Sequence, residues 1–322
     1  RKATIQNPTA SSREASFNVN GQRSAFNNFL LDGLDNNNYG TSNQGFANEN
    51  IPPSPDAVSE FRVETNNYSA EYGRASGAVI NVSTRRGTNQ FHGKVYDYLR
   101  NTSLNAIGPF QPAGGVKQVF IRNQFGGTFG GPIYKDRTFF FMDYEGLRQI
   151  FRNQVSTVTL PNAEQRQGLF LLHKVDGTTA PITLKNPITG TVFTTGNINA
   201  EATPFAKAVL AALPTNTLNN GAVAYNTIAN NYTASPRGTI QDDKADARID
   251  HTFNQKWSLF SRYSEHRGTI FDPPTVLGRA GGNGNSNVNL LNRQIAGGVT
   301  WIASPNKLVD VRFAYTKNQG GK

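Results

Sequence analysis

The sequence predicts a mainly β protein whose strands are joined by long polar loops. Only 37% of the 322 residues are hydrophobic, and 37 Asn, 31 Gly and 16 Pro fill much of the remainder. Gly and Asn are weak helix formers, which disfavours a helical bundle. Aromatic residues still make up 11% of the chain, which disfavours a disordered protein. The third observation is a series of long segments in which apolar and polar residues alternate, as strands require.

The first 86 residues predict a polar segment followed by two short strands. Residues 1–57 are rich in Asn, Ser and Gly and contain one apolar island, Phe26–Leu34, within which Asp32-Gly33 is a turn signal. Strand periodicity begins with Val58, Phe61 and Val63 and returns at residues 78–82. Clusters of Gly, Asn and Ser bound both runs, which is typical of strand ends.

After residue 87 the pattern predicts about eight longer amphipathic strands. In the last of them Val309, Val311, Phe313 and Tyr315 share one face. Strands of about 10–12 residues exceed the usual globular length of about 5–6 and match a tilted strand that crosses a bilayer. The predicted strands are 91–101, 119–130, 136–149, 151–160, 242–253, 256–267, 289–302 and 307–317.

The connections between these strands are of two kinds. Asn254-Gln255 and Ser304–Asn306 predict short turns, whereas 101–118, 161–238 and 268–288 predict long loops. Outer-membrane barrels show this asymmetry, with short periplasmic turns and long extracellular loops. The longest loop contains two segments whose spacing is compatible with helices, namely Ala163–His173 and Glu201–Leu213.

Charge and composition exclude several classes of protein. The net charge is +10, but the basic residues are dispersed rather than clustered, which disfavours nucleic-acid binding. Cysteine is absent, so disulfides and thiolate sites are excluded.

Aromatic residues near predicted strand ends indicate the belts that mark membrane interfaces, at Tyr96, Tyr98, Phe139–Phe141, Trp257, Trp301 and Tyr315.

The sequence contains no motif that is typical of a catalytic or metal-binding site. His92, His173, His251 and His266 lack paired spacing, and we interpret each as structural or exposed. Neither a GxSxG elbow nor a Walker loop occurs, and the glycines of 126–131 indicate a strand beside a bulge or a close contact. The acidic and amide residues of 32–38 indicate a turn rather than a calcium loop, and 242–246 indicates a charged strand entry. The sequence therefore predicts no enzyme and no catalytic, cofactor-binding or metal site.

A family resemblance is carried by four segments. Residues 69–84 (SAEYGRASGAVINVST) resemble the closing segment of the plug domain of a TonB-dependent receptor, and 87–93 (GTNQFHG) resemble its passage into the first barrel strand. The segment 123–141 (NQFGGTFGGPIYKDRTFFF) is similar to early barrel strands in the Oar-like branch of these receptors. Residues 248–262 resemble a barrel hairpin of the same receptors.

The resemblance implies an outer-membrane transporter of a Gram-negative-type bacterium, with 22 strands in the full-length barrel. It implies the C-terminal part of a plug at 1–86 and the N-terminal portion of the barrel at 87–322, so that we expect an internal fragment of a longer protein. It also implies active uptake of a large scarce ligand (polymer, peptide, saccharide or chelate), contact with outer-membrane lipid, and energy from the TonB-ExbB-ExbD complex. The TonB box that would bind this complex is not in the sequence.

Two hypotheses from other classes of protein are also compatible with the sequence. One is a cell-surface structural or adhesive β protein without transport, and the other is a periplasmic carbohydrate-binding β-sandwich. Within the plug segment, Gly73 and Gly77 predict tight packing against the barrel wall. If this segment is part of a plug, Glu71 and Arg74 are expected to pair with charges on the inner side of the barrel. The alternative is that both are ordinary solvated charges of a surface turn. No residue is singled out as ligand-binding.

Overall fold

Strands dominate the structure of the protein. The computed structural model describes residues 18–22, 26–39, 49–65, 68–106, 117, 119–152, 156–174, 176–214, 230–234, 236–274, 276–278, 280 and 286–321. In chain order the strands are β1 (Asn28–Leu31), β2 (Leu34–Asp35), β3 (Val58–Glu64), β4 (Val79–Thr84), β5 (His92–Asn101), β6 (Phe120–Tyr134), β7 (Thr138–Arg152), β8 (Ser156–Val158), β9 (Leu171–His173), β10 (Thr179–Pro181), β11 (Leu184–Lys185), β12 (Val192–Phe193), β13 (Tyr232–Ala234), β14 (Arg237–Asn254), β15 (Trp257–Asp272), β16 (Ser286–Ser304) and β17 (Lys307–Gly321), with helices α1 (Ala163–Arg166) and α2 (Pro204–Ala212).

The chain divides into two units. The first contains residues up to 151 together with 239–272 and 287–322, and the second contains 152–238 and 273–286. Within the first unit, β1–β4 form a small sheet in the order β2-β1-β4-β3. The pair β1 and β4 is parallel, and the other two pairs are antiparallel. The apolar core of this sheet is small and consists of Phe29, Leu31, Ile51, Ala78, Ile80 and Val82.

The first unit also contains an antiparallel seven-stranded sheet, which we call the wall. Its order is β17-β16-β15-β14-β7-β6-β5, and sequential strands pair along the whole sheet. One end of the wall carries short turns at 135–137, 255–256 and 305–306, whereas the connections at the other end are long. The predicted asymmetry of the connections is therefore confirmed.

The two faces of the wall differ in polarity. Successive side chains of a strand point to opposite faces, and those that face the small sheet include many buried polar groups: Asp143, Glu145, Gln149, Lys244, Asp246, Arg262, Ser264, Asn292 and Gln294. The outer face carries exposed apolar side chains: Val95, Leu99, Phe129, Met142, Ile249, Ile295, Val309, Val311, Phe313 and Tyr315. A polar inner face and an apolar outer face are the pattern of a membrane barrel.

Aromatic side chains gather at the short-turn end of the outer face. Trp257 and Trp301 stack with their ring centroids 5.1 Å apart, and Phe129 and Phe140 lie 5.5 Å apart at the same end. The predicted belt is wrong at Tyr96, whose hydroxyl donates to Glu145 on the inner face. It is also wrong at Phe141, which is buried on that face.

Several predicted strand boundaries are wrong. The wall has seven strands rather than about eight, because 136–149 continues into Arg152 as β7 and 156–158 pairs with β13 in the second unit. Most wall strands also extend beyond the predicted segments, to 15–19 residues. Backbone pairing continues into polar sequence, since a ladder needs only N–H and C=O groups. The predicted loop 268–288 accordingly begins inside β15 and ends inside β16.

The second unit is built from short elements. Its strands form the pairs β8–β13, β9–β10 and β11–β12, and an apolar cluster contains Leu160, Tyr232 and Ala234. The predicted helix Ala163–His173 is reduced to α1, because Gly168 has a positive φ and the following residues enter β9. The second predicted helix is present as α2, which Thr203 caps and Pro204 begins. Neither helix of the described residues is long and apolar enough to cross a membrane.

Candidate functional site: the interface between the small sheet and the wall

The turn between β1 and β2 presents a buried carboxylate to the wall. Asp32 and Gly33 both have positive φ, at 53° and 74°, as a two-residue hairpin turn of type I′ requires. The Asp32 carboxylate accepts hydrogen bonds from the Thr84 amide at 2.8 Å and from the Thr84 hydroxyl at 2.9 Å. These bonds tie the turn to the end of β4 and fix the direction of the carboxylate.

Three arginines from three wall strands converge on this turn. Arg248 Nη1 lies 3.1 Å from Asp32 Oδ1, and Arg262 Nη1 lies 3.1 Å from Asp32 Oδ2. Arg312 Nη1 donates to the main-chain oxygen of Asp32 at 2.9 Å. Only 1% of the Arg262 side chain is exposed, so its charge depends on nearby partners. We call Asp32, Thr84, Arg248, Arg262 and Arg312 the Asp32 cluster.

Two features of this turn favour glycine at position 33. Its φ of 74° disfavours residues with a Cβ, and an added Cβ would displace Arg312 Nη1 from its bond to the main-chain oxygen of Asp32. We predict that Gly33→Ala lowers the stability of the small sheet by more than the roughly 1–2 kcal/mol expected for left-handed backbone alone. Denaturant unfolding of the full-length protein measures this loss. Gly21→Ala is the matched control, since Gly21 has a φ of 78° and open space around it. Equal losses in the two variants would contradict a role for the arginine contact.

Further polar contacts join the small-sheet segment to other wall strands. The buried Ser54 hydroxyl donates to Asp143 Oδ2 at 2.7 Å, and Asp56 forms an ion pair of 2.8 Å with Lys94. Lys244 lies 3.6 Å from Glu145 next to this contact region on the inner face. Hydrogen bonds and ion pairs of polar side chains therefore contribute directly to this interface.

Asparagine side chains hold the segment that follows β2. The amide of Asn36 is fully buried, donates to Ile51 O at 2.8 Å and accepts from Ile51 N at 3.0 Å. Two wall side chains bind the same region, since Asn292 donates to Asn50 O at 2.7 Å and Asn318 donates to Asn50 Oδ1 at 2.8 Å. These bonds add to the backbone pairing of Asn37 with Glu49 and give the buried asparagines a structural role.

Asp35 is the second carboxylate near the turn. Burial acts to raise its pKa, but hydrogen bonds from the Tyr39 hydroxyl and from Asn37 outweigh burial and hold the pKa below its ordinary value. Burial and the neighbouring Asp35 charge raise the pKa of Tyr39. Arg74 lies 3.9 Å from Asp35 and stacks over the Tyr39 ring.

The structure corrects the predicted contacts of Arg74, Gly73 and Gly77. Arg74 pairs with Asp35 inside the small-sheet segment rather than with luminal charges. Glu71 is exposed, which agrees with the alternative of an ordinary solvated charge. Gly73 has open space where a Cβ would stand, and Gly77 packs against Asn27 rather than against the wall. The Asp32 turn, which the sequence marked only as a turn, makes the wall contacts instead.

The four histidines lie apart from one another. His92 is exposed, whereas His173 contacts Glu164 at 2.7 Å, His251 contacts Thr138 at 2.8 Å and His266 contacts Asp242 at 2.6 Å. In the part of the chain that the structure describes, no group of three or more His, Asp or Glu side chains is placed to hold a metal ion. The predicted loop 101–118 lies mostly outside the described residues.

Comparison with known proteins identifies the family. Residues 83–322 match the family model described as an outer membrane beta barrel domain. The chain belongs to this family. The TonB-dependent transporter Oar of Myxococcus xanthus is 32% identical to it over 142 residues, which is 42% of this chain and 13% of that protein. The predicted family resemblance and outer-membrane location are confirmed.

Solved structures of outer-membrane proteins share the fold. The outer membrane transporter YddB from Escherichia coli matches with a TM-score of 0.52 and 9% identity over 93% of this chain and 32% of that one. A mutant ferric enterobactin receptor (PfeA) from Pseudomonas aeruginosa, in complex with enterobactin, matches with a TM-score of 0.52 and 12% identity over 94% of this chain and 34% of that one. The chain thus spans about a third of these structures and a smaller part of Oar. The mainly β fold and the open barrel wall are confirmed.

Proposed function

We propose that this chain forms the C-terminal part of a plug (1–86) and the N-terminal portion of a barrel (87–322) in a TonB-dependent transporter. The observation that carries this proposal is a folded small sheet seated on the polar inner face of an outer-membrane wall through the Asp32 cluster. A wide barrel needs such an insert, because it would otherwise leave an aqueous channel.

The polar character of the interface suits a plug that moves. Hydrogen bonds and ion pairs at the interface can be exchanged for bonds to water, whereas a large apolar contact would resist separation. We propose that a TonB box elsewhere in the full-length protein couples the TonB-ExbB-ExbD complex to the plug. Force applied to the plug then breaks the contacts at Asp32, Ser54 and Asp56 and opens a path for the ligand.

Ligand capture is proposed for the long connections at one end of the wall. The second unit, at 152–238 and 273–286, belongs to these connections and contains a cavity of about 490 Å³ lined by Leu160, Phe170, Ile198 and Leu210. The ligand class stays open among polymer, peptide, saccharide and chelate. We propose no enzymatic activity, and a non-transporting adhesive protein is the alternative.

Deletion of residues 18–86 from the full-length protein tests the plug. We expect cells with the deletion variant in the outer membrane to become sensitive to vancomycin, a large antibiotic that intact barrels exclude. Surface labelling of the barrel controls for insertion. Unchanged resistance with normal surface labelling would contradict the plug assignment.

Binding of the purified C-terminal domain of TonB to the full-length protein tests energy coupling separately. We expect a complex that a TonB-box peptide displaces. An adhesive protein predicts no complex, and that result would overturn the transporter proposal while leaving the barrel fold intact.

A further inference from the structure

The outer face of the wall carries a row of charged side chains among its apolar residues. Arg148 Nη2 lies 2.8 Å from Asp243 Oδ1, and Asp243 stands opposite Arg267 in the β14–β15 register. Glu265 then links Arg267, at 3.6 Å, to Arg293, at 2.8 Å. We call these five residues, on β7, β14, β15 and β16, the outer arginine row.

The alternation of the strands places this row on the lipid side of the wall. On β14, Asp242, Lys244 and Asp246 face inward, so Asp243 points outward with Ile249. The charged strand entry predicted at 242–246 lies inside β14, and its side chains alternate between the two faces of the wall. The small sheet lies against the inner face of the wall, so it cannot be the binding partner of the charged side chains on the outer face.

The height of the row fits a membrane interface. Arg267 lies ten positions beyond Trp257 on β15, which is about 33 Å along the strand and about 25 Å along the barrel axis at the usual tilt. The apolar band of such barrels is also about 25 Å tall. The stacked pair Trp257 and Trp301 thus marks one edge of the band, and the row marks the edge at the long connections.

Tyrosines and carboxylates orient the arginines. The Tyr144 hydroxyl donates to Asp243 Oδ1 at 2.5 Å, and the Tyr263 hydroxyl donates to Glu265 Oε2 at 2.7 Å. The carboxylates in turn hold Arg148 and Arg293, while Arg267 remains 60% exposed. Three guanidinium groups and two carboxylates leave one net positive charge facing the headgroup level.

We propose that the outer arginine row binds the phosphate groups of a lipid in the outward-facing leaflet. Guanidinium groups bind phosphate through paired, charge-assisted hydrogen bonds, and their cost at a lipid-facing position is small only near an interface. The acyl chains of the lipid lie along the apolar stripe below the row, which contains Tyr263, Ile249 and Ile295. The site is distinct from the plug interface and from the proposed ligand path.

The test uses purified full-length protein in detergent, titrated with lipid A, which carries two phosphates. We expect lipid A to bind at least ten-fold more tightly than its dephosphorylated form, as measured by native mass spectrometry. The double variant Arg267→Gln/Arg293→Gln is expected to lose at least ten-fold in lipid A affinity. Thermal unfolding of each variant without lipid confirms that it is folded.

The matched control removes two positive charges at the other end of the wall, as Arg137→Gln/Lys256→Gln, and its lipid A affinity is expected to stay within two-fold of the parent. Inorganic phosphate at millimolar concentration is expected not to compete, since the acyl chains contribute to binding. Equal lipid A binding by parent and Arg267→Gln/Arg293→Gln would overturn the proposal. Equal losses in both double variants, equal binding of the dephosphorylated lipid, or competition by inorganic phosphate would also overturn it.

Discussion

Asp32→Asn is expected to destabilise the seating of the small sheet by about 3–5 kcal/mol, the usual result of removing one partner from a buried ion pair. The substitution keeps the size of the side chain and removes its charge. Arg262, which is almost fully buried, and Arg248 would then lose the carboxylate that they share. Native-state hydrogen exchange of the amides in β1 and β4 measures this effect in the full-length protein.

The expected change is at least a hundred-fold faster exchange, because each 1.4 kcal/mol corresponds to a factor of ten. Asp56→Asn provides the control, since it removes an ion pair between the same two parts of the structure. The side chain of Lys94 in that pair is 50% exposed, and exposed pairs contribute about 0–1 kcal/mol. Similar exchange in the two variants would show that Asp32 is not the main contact.

Ile249→Arg is expected to lower the stability of the inserted barrel by about 2–4 kcal/mol, because Ile249 lies on the outer face near the middle of the apolar band. Its side chain is 45% exposed, and we assign that exposed surface to lipid. Reversible unfolding of the full-length protein from lipid vesicles in denaturant measures the loss. The same experiment separates a lipid-facing wall from a soluble sheet.

Phe253→Arg is the matched control for this substitution. Phe253 lies on the same face of the same strand, four residues nearer the short turn and beside His251. The charge penalty falls to about 0–1 kcal/mol near the interface, so the control should lose less than Ile249→Arg even though it also removes a ring. If position had no influence on the loss, the outer face would not be in contact with lipid.

The architecture could largely be predicted from alternation in the sequence. Val309, Val311, Phe313 and Tyr315 define a stripe that the structure places on the outer face. The sequence predicts Trp257 and Trp301 at a membrane interface, and the two rings stack at the short-turn end of the wall. Such patterns are local, because the alternation of residues within one strand is enough to identify its apolar face.

The ends of elements were predicted less well, because pairing decides them. Residues 318–321 carry no apolar alternation, yet they pair with β16 and lengthen β17. The segment 156–158 has strand composition, but its partner is β13 in the second unit rather than a wall strand. In both cases the neighbouring strand supplies the hydrogen bonds that the residue types do not specify.

The sequence by itself determined the class of the protein, through the period-two alternation, the asymmetry of the connections and the plug-like segment 69–84. Only the tertiary structure decided that Asp32 is the contact point, because its partners Arg248 and Arg312 lie 216 and 280 residues away. Their convergence depends on strand register, and a shift of one residue would turn each arginine to the opposite face. Local residue patterns set the faces of a strand, whereas long-range pairing determines which side chains meet.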